Sequence, residues 1–153
     1  MLRGEADAIY SEEGVAKVAW SSLTRAAEAD ARLAWFKARI DLPAAPSPPA
    51  AQTAYALDLS SMNKGVAFVN GFDLGRYWML PGKCSGSCAP PVKNGHCYEH
   101  WTDCGEPTQT LYHVPTELLR PTGNLVVLFE ETANSVQPRR LERVRLVALH
   151  AHP

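Results

Sequence analysis

The sequence predicts an all-β protein, an antiparallel β-sandwich or jelly roll. Short apolar segments, several of them alternating, recur along the 153 residues and are separated by turn sequences. Asn70-Gly71 lies between two apolar runs, which is a strong hairpin signal because both residues tolerate positive φ. No strand pattern alternates with long helical patterns, which argues against a parallel α/β fold. The length fits one domain over 1–153.

The elements follow in chain order. Strands are predicted at 9–10, 15–20, 35–42, 55–59, 66–69, 72–78, 111–114, 125–129 and 144–150, and a helical turn at 115–119. The segment 35–42 alternates most clearly, as a half-buried strand does. The segment 125–129 is apolar throughout and is expected to be a central strand. The stretches 21–33 and 43–52 are predicted to be connections, the first with helical propensity over 25–33.

The segment 80–107 is predicted to be a long irregular loop. It holds all the cysteines: Cys84, Cys88, Cys97 and Cys104. Such clustering is typical either of two disulfides in an oxidising compartment or of a metal site in a reducing one. The spacings C-x3-C and C-x6-C are wider than the C-x2-C pairs that zinc sites favour. Neither the choice nor the disulfide pairing follows from the spacing.

Charge and hydropathy exclude two classes of partner. The formal net charge is −1, and the basic stretch at 139–145 is interpreted as the polar face of a strand, so no nucleic acid is expected. No apolar run is long enough to span a membrane. The residues after Met1 predict no secretory leader, which leaves an intracellular protein or an internal piece of a longer secreted one.

Several motifs occur in a fixed order. They are LDLSSMNKG at 57–65, AFVNG at 67–71, LGRYW at 74–78, LYHVP at 111–115, PTGNLVV at 121–127 and FEE at 129–131. Together they resemble the late segment of glycoside hydrolase family 35, the β-galactosidases. The cysteine loop, with CGEPTQ at 104–109, is similar to the plant branch of that family. The resemblance spans nearly the whole chain and weakens at 21–33 and 43–52.

The resemblance implies a galactose-binding-like jelly roll that follows a catalytic (β/α)8 barrel. In that family the barrel carries the two catalytic glutamates, and no residue of this chain matches them. The match begins partway into the sandwich, so its first strands are expected to lie outside the chain. The resemblance also favours disulfides over zinc, and a secreted, cell-wall or vacuolar location for the parent enzyme.

No residue is predicted to be catalytic, and no cofactor or metal is expected. Glu130 and Glu131 are neighbours on a strand, so their side chains are expected to point to opposite faces. Retaining glycosidases need two carboxyl groups about 5 Å apart. Neither this pair nor Glu12 and Glu13, in a predicted turn, fits that requirement. His113 is expected to be a packed or surface residue.

Flat aromatic rings and nearby polar groups identify candidates for carbohydrate binding. The candidates are Asn70, Arg76, Tyr77, Trp78, Tyr98 and Trp101, with Asp73 and His100 as further hydrogen-bonding groups. Packing in the core or between domains is favoured for Tyr77 and Trp78, because large aromatic residues are mostly buried.

Three functions compete. The first is a non-catalytic C-terminal domain of a β-galactosidase-like hydrolase acting on terminal β-galactosyl residues, with the barrel as its partner. The second is a free-standing carbohydrate-binding module for a galactose-containing glycan. The third is a structural or interaction subunit, in which an open sheet edge pairs with another protein.

Overall fold

The structure is a computed structural model that describes residues 3–23, 33–44, 53–80, 107, 109–132 and 141–150. The elements are α1 (Arg3–Ala6), α2 (Glu12–Lys17), β1 (Ala34–Ile40), β2 (Thr53–Asp58), β3 (Lys64–Val69), β4 (Phe72–Trp78), β5 (Leu111–Val114), β6 (Asn124–Glu130) and β7 (Arg145–His150), with 3₁₀ turns at Thr116–Leu118 and Leu141–Arg143. The predicted strands from 35 onward and the turn after β5 are therefore confirmed. The predicted connections lie largely outside the described residues.

The strands form two antiparallel sheets that face each other. One sheet has the order β1-β6-β3-β4 and the other β5-β2-β7. One buried cluster contains residues of both sheets, such as Leu57 and Leu146 from the smaller sheet and Val126 and Leu128 from the larger. This shared core makes the fold a β-sandwich, as predicted. Every residue of β6 is buried, which confirms it as a central strand.

The hairpin predicted at Asn70-Gly71 joins β3 and β4. Both turn residues have positive φ, 50° for Asn70 and 87° for Gly71, the conformation that suits a two-residue turn between twisted strands. A bulge then shifts the pairing between Ala67 and Phe68, and Gly75 on β4 has a φ of 95°. Beyond the bulge Lys64 pairs with Trp78.

The predicted strands at 9–10 and 15–20 are wrong. Residues 9–10 lie in the turn between α1 and α2, and α2 takes up the predicted turn at Glu12 and Glu13 together with 15–17. Ser11 caps α2 by accepting a hydrogen bond from the Gly14 amide at 3.0 Å. A Cβ on Gly14 would lie 2.0 Å from the Ala8 carbonyl oxygen, so only glycine allows this close approach. Tertiary packing overrides the strand propensity of the apolar residues here.

The N-terminal segment covers part of the outer face of the larger sheet. Tyr10 stacks on Phe68 with ring centroids 4.3 Å apart, and Trp35 lies 4.9 Å from Phe129. Val15 also packs here, in a second apolar cluster with Phe68 and Val127. The larger sheet is therefore buried on its inner face and partly buried on its outer face. In the described part of the chain, no helix is long and apolar enough to cross a membrane.

Candidate functional site

The uncovered part of the outer face carries four polar and aromatic side chains, called here the Trp78 cluster: Lys64, Arg76, Trp78 and Glu131. Arg76 and Trp78 alternate with the buried Tyr77 on β4, which puts both on the outer face. Lys64 reaches the same face from β3, opposite Trp78. Trp78 is 54% exposed, so packing of this ring in the core of the chain is wrong, and packing against another domain stays a prediction.

Glu131 connects the two cations of the Trp78 cluster. Both of its oxygens accept from the Arg76 Nη2, at 2.6 and 2.8 Å, and its Oε2 lies 3.3 Å from the Lys64 Nζ. The Lys64 ammonium also sits 4.9 Å from the centroid of the Trp78 ring, a cation–π contact. One carboxylate against two cations leaves the cluster with a local charge of +1 beside an exposed indole.

A buried carboxylate holds the strands beneath this cluster in place. Glu130 is 0% exposed and accepts hydrogen bonds at 3.1 Å from the backbone amides of Asn63 and Lys64. The Tyr77 hydroxyl and Thr132 supply the remaining donors at 3.1–3.2 Å. Glu130 and Glu131 therefore point to opposite sides of the sheet, as predicted, and Glu130 fixes the start of β3 to the end of β6.

Tyr77 belongs to this support and not to the exposed cluster. Its side chain is 0% exposed, and its ring meets Tyr112 edge-on at 6.5 Å. The packing predicted for Tyr77 is thus confirmed. Gly65 lies beside it, where a Cβ would come within 1.7 Å of the Phe129 carbonyl oxygen, so the close contact of β3 with β6 requires glycine.

Asn70 lies at the other end of the larger sheet. Its Nδ2 donates to the Leu118 carbonyl at 2.7 Å and to the Asn124 Oδ1 at 2.9 Å. Its Oδ1 accepts from the Leu125 amide at 2.8 Å. These internal bonds use both ends of the amide. Because Asn70 lies at the other end of the sheet, the structure does not bring it together with Arg76 and Trp78.

Of the remaining predicted site residues, some are exposed in the structure and the others lie outside the residues that it describes. Asp73 is exposed and accepts from the Gly75 amide at 2.7 Å within the bulge, and His113 is exposed on β5. The residues 81–106 lie outside the described part of the chain. This range contains Tyr98, His100, Trp101 and the four cysteines Cys84, Cys88, Cys97 and Cys104, whose carbohydrate-binding and disulfide roles stay predictions.

A second surface feature has no counterpart in the sequence predictions. A groove of about 460 Å³ lies between the segment after α2 and strand β1. Its lining includes Val18, Trp20, Leu23, Trp35, Lys37 and Leu141. The Lys37 ammonium lies 4.9 Å from the Trp20 ring centroid, and the Trp20 Nε1 donates to the Val15 carbonyl at 3.0 Å.

An ion-pair group fastens α2 to the rest of the sandwich. Arg39 binds both carboxylate oxygens of Glu12 and donates to the Gly123 carbonyl at 3.0 Å. Arg120 approaches the same carboxylate at 3.5 Å. The hydrogen bond from Arg39 lowers the pKa of Glu12 below its usual value, and Glu12 in turn raises the pKa of Arg39.

The two sheets and their shared core define an antiparallel β-sandwich domain. Residues 33–124 match the family described as "Beta-galactosidase, galactose-binding domain", and this chain belongs to that family. It is 40% identical to "Beta-galactosidase 8" of Arabidopsis thaliana over 105 residues, 65% of this chain. It is 37% and 35% identical to "Beta-galactosidase 11" and "Beta-galactosidase 12" of Oryza sativa subsp. japonica over 130 residues, 85% of this chain. The chain spans only 11–12% of the length of these relatives.

Proposed function

We propose that the chain is a non-catalytic accessory β-sandwich of a β-galactosidase-like glycoside hydrolase that acts on terminal β-galactosyl residues. Its family membership and its size relative to the plant relatives support this role. A catalytic (β/α)8 barrel elsewhere in the parent protein would perform hydrolysis. The accessory domain would stabilise the barrel or shape access to its site.

The observation that carries this proposal is that the adjacent carboxylates Glu130 and Glu131 lie on opposite sides of the sheet and are both bound by groups of the chain itself. Glu130 is buried on the inner side of the sheet, where its carboxylate oxygens accept hydrogen bonds from within the chain. Glu131 forms ion pairs with Lys64 and Arg76 on the outer face. A retaining glycosidase needs two accessible carboxyl groups about 5 Å apart that face one sugar. Two groups on opposite sides of a sheet do not meet that requirement.

The test is hydrolysis of a chromogenic aryl β-galactoside by the purified 153-residue chain. The expected result is a rate equal to that of buffer. Turnover by the native chain that is abolished in Glu131→Gln would contradict the proposal, because it would assign catalysis to this sandwich. A variant at an exposed acid on another surface, Glu117→Gln, is the matched control.

The parent enzyme's location is part of the same proposal. A secreted, cell-wall or vacuolar β-galactosidase would give the four cysteines an oxidising environment for two disulfides. Thiol titration of the denatured, unreduced chain, purified from an oxidising compartment, is expected to find no free thiol. Four free thiols in such a preparation would overturn the disulfide proposal.

A second candidate function is carbohydrate binding at the Trp78 cluster. An exposed indole offers an apolar face to a pyranose ring, and flanking charged groups can hydrogen-bond to its hydroxyls. Arg76 uses only its Nη2 for Glu131, so among the described residues its Nη1 and Nε donors are left for a ligand.

Titration calorimetry with a galactose-terminated oligosaccharide tests this candidate. Trp78→Ala is expected to weaken binding by about tenfold, since the stacking surface is lost. Phe72→Ala removes another exposed aromatic ring of β4, 47% exposed and outside the cluster, and is expected to bind as the native chain does. Equal binding by the two variants, or no heat with the native chain, would exclude the cluster as a sugar site.

A further inference from the structure

The groove between the segment after α2 and β1 has the character of a protein-docking site. Its lining is mostly apolar, with Val18, Trp20, Leu23 and Leu141 among the contributors. Val18 is 37% and Leu23 45% exposed, so the apolar surface reaches solvent at the rim. A concave apolar surface of this size accommodates one or two side chains of a partner.

One charge marks this groove. Among the described residues Lys37 has a cation–π contact with Trp20 and no ion pair with a carboxylate. Other cations on the outer face of the larger sheet, such as Arg39 and Arg76, are paired with glutamates. An apolar side chain in the groove and a carboxylate beside Lys37 would together complement this surface.

We propose that the groove receives an apolar side chain, with a carboxylate beside Lys37, from another domain of the same β-galactosidase-like polypeptide. This inference rests on the proposed accessory function. The matched region makes up only 11–12% of the plant relatives, so a domain of this family has large neighbours in one chain. The occupant is therefore a neighbouring domain and not a free sugar, since aliphatic side chains supply much of the lining.

The test compares the isolated chain with a chimera in which it replaces the matched segment of the rice "Beta-galactosidase 11". Hydroxyl-radical footprinting measures the reactivity of Leu23 at the groove, and Leu111, an exposed leucine of β5 outside the groove, is the internal control. Leu23 is expected to react about fivefold more slowly in the chimera, as solvent is excluded from a docked surface. Equal Leu23 reactivity in the two proteins would overturn the proposal.

Charge reversal supplies a second measurement that does not depend on footprinting. In the chimera, Lys37→Glu is expected to lower the melting temperature by about 2–4 °C more than Lys17→Glu, an exposed lysine at the end of α2. The isolated chain is the reference, because there Lys37→Glu already loses the cation–π contact with Trp20, and the drop expected in the chimera is counted beyond the difference measured in that chain. A difference between the two variants that is no larger in the chimera than in the isolated chain would contradict the inference. Leu23 protection in the isolated chain that grows with concentration would also contradict it, because a second copy would then cover the groove. An inactive chimera with a protected groove would instead count against the accessory function alone.

Discussion

The two ends of β6 are fixed by buried polar side chains that work in different ways. At one end Asn124, 0% exposed, donates to the carbonyls of Ile40 and Arg120 and accepts from Arg120 and Asn70, at 2.7–3.1 Å. At the other end Glu130, also 0% exposed, only accepts. The amide end is a closed neutral network, whereas the carboxylate end lies beneath the exposed Trp78 cluster.

This difference separates polar groups that hold the fold together from polar groups that support an exposed surface. The side chain of Asn70, predicted to bind sugar, forms its hydrogen bonds within the amide network and connects the hairpin to β6. Glu130 instead fixes the strand ends from which Lys64 and Glu131 project to the outer face. An exposed binding surface requires such fixed support, because a mobile sheet end would not hold its side chains in one arrangement.

The largest expected effect contrasts a glycine near each end of β6. Gly65→Ala is expected to reduce the free energy of unfolding by about 3–5 kcal/mol, because the new Cβ would overlap the Phe129 carbonyl oxygen. Gly123→Ala meets nothing within 4 Å but has a φ of 69°, so a cost of about 1 kcal/mol is expected. Urea unfolding measures both. Equal losses would show that the close contact at Gly65 relaxes.

Glu130→Gln is expected to cost about 2–4 kcal/mol, since an amide NH₂ would face groups that are themselves donors. Glu131→Gln is the matched control on the exposed side, where loss of ion pairs is expected to cost below about 1 kcal/mol. Chemical unfolding at neutral pH compares them. A larger loss for Glu131→Gln would reverse the roles assigned to the two carboxylates.

Asn124→Ala is expected to cost about 2–3 kcal/mol, because carbonyls and amide groups lose their buried partner. The double variant with Asn70→Ala should cost less than the sum of the two single variants, by about 0.5–1 kcal/mol, since the side chains share a hydrogen bond. A double-mutant cycle in urea measures this coupling. Strict additivity would show that the two amides act independently.

The smallest expected effect lies at the ion pair that fastens α2. Because Arg39 lowers the pKa of folded Glu12, the pair stabilises the protein above the unfolded value of 4.5 and loses this contribution as the pH falls through the lower folded value. Glu12→Gln should therefore cost below about 1 kcal/mol at pH 7, given its solvent exposure, and nothing in strong acid. Unfolding curves across this pH range check it. A difference that persists at low pH would point to packing instead of charge.

Much of the fold followed from local patterns. Alternation and the Asn70-Gly71 turn predicted the strands from β1 onward, since period and turn chemistry are encoded in neighbouring residues. The N-terminal helices did not follow, although the Ser11 cap is a local signal, because the apolar residues that follow it also fit a strand and their packing against the sheet decides between the two. Short apolar segments carry no signal that separates these outcomes.

The candidate site was harder to predict than the fold. A regular two-residue hairpin would pair Lys64 with Tyr77, but the bulge moves Lys64 opposite Trp78 and so creates the cluster. Gly75 within a strand was the one available signal, because glycine there often marks a bulge. Glu131 joins the cluster from β6, which is distant in sequence, and the groove at Trp20 depends on the undetected α2.

The central claim, an accessory role in a β-galactosidase-like enzyme, is tested most directly by replacement in a relative. Rice "Beta-galactosidase 11" is compared intact, with its matched segment deleted, and with that segment replaced by this chain, in hydrolysis of an aryl β-galactoside. Deletion is expected to abolish soluble activity, and the replacement is expected to restore it. A deletion enzyme as active as the intact one, or a soluble replacement that stays inactive, would contradict the accessory role.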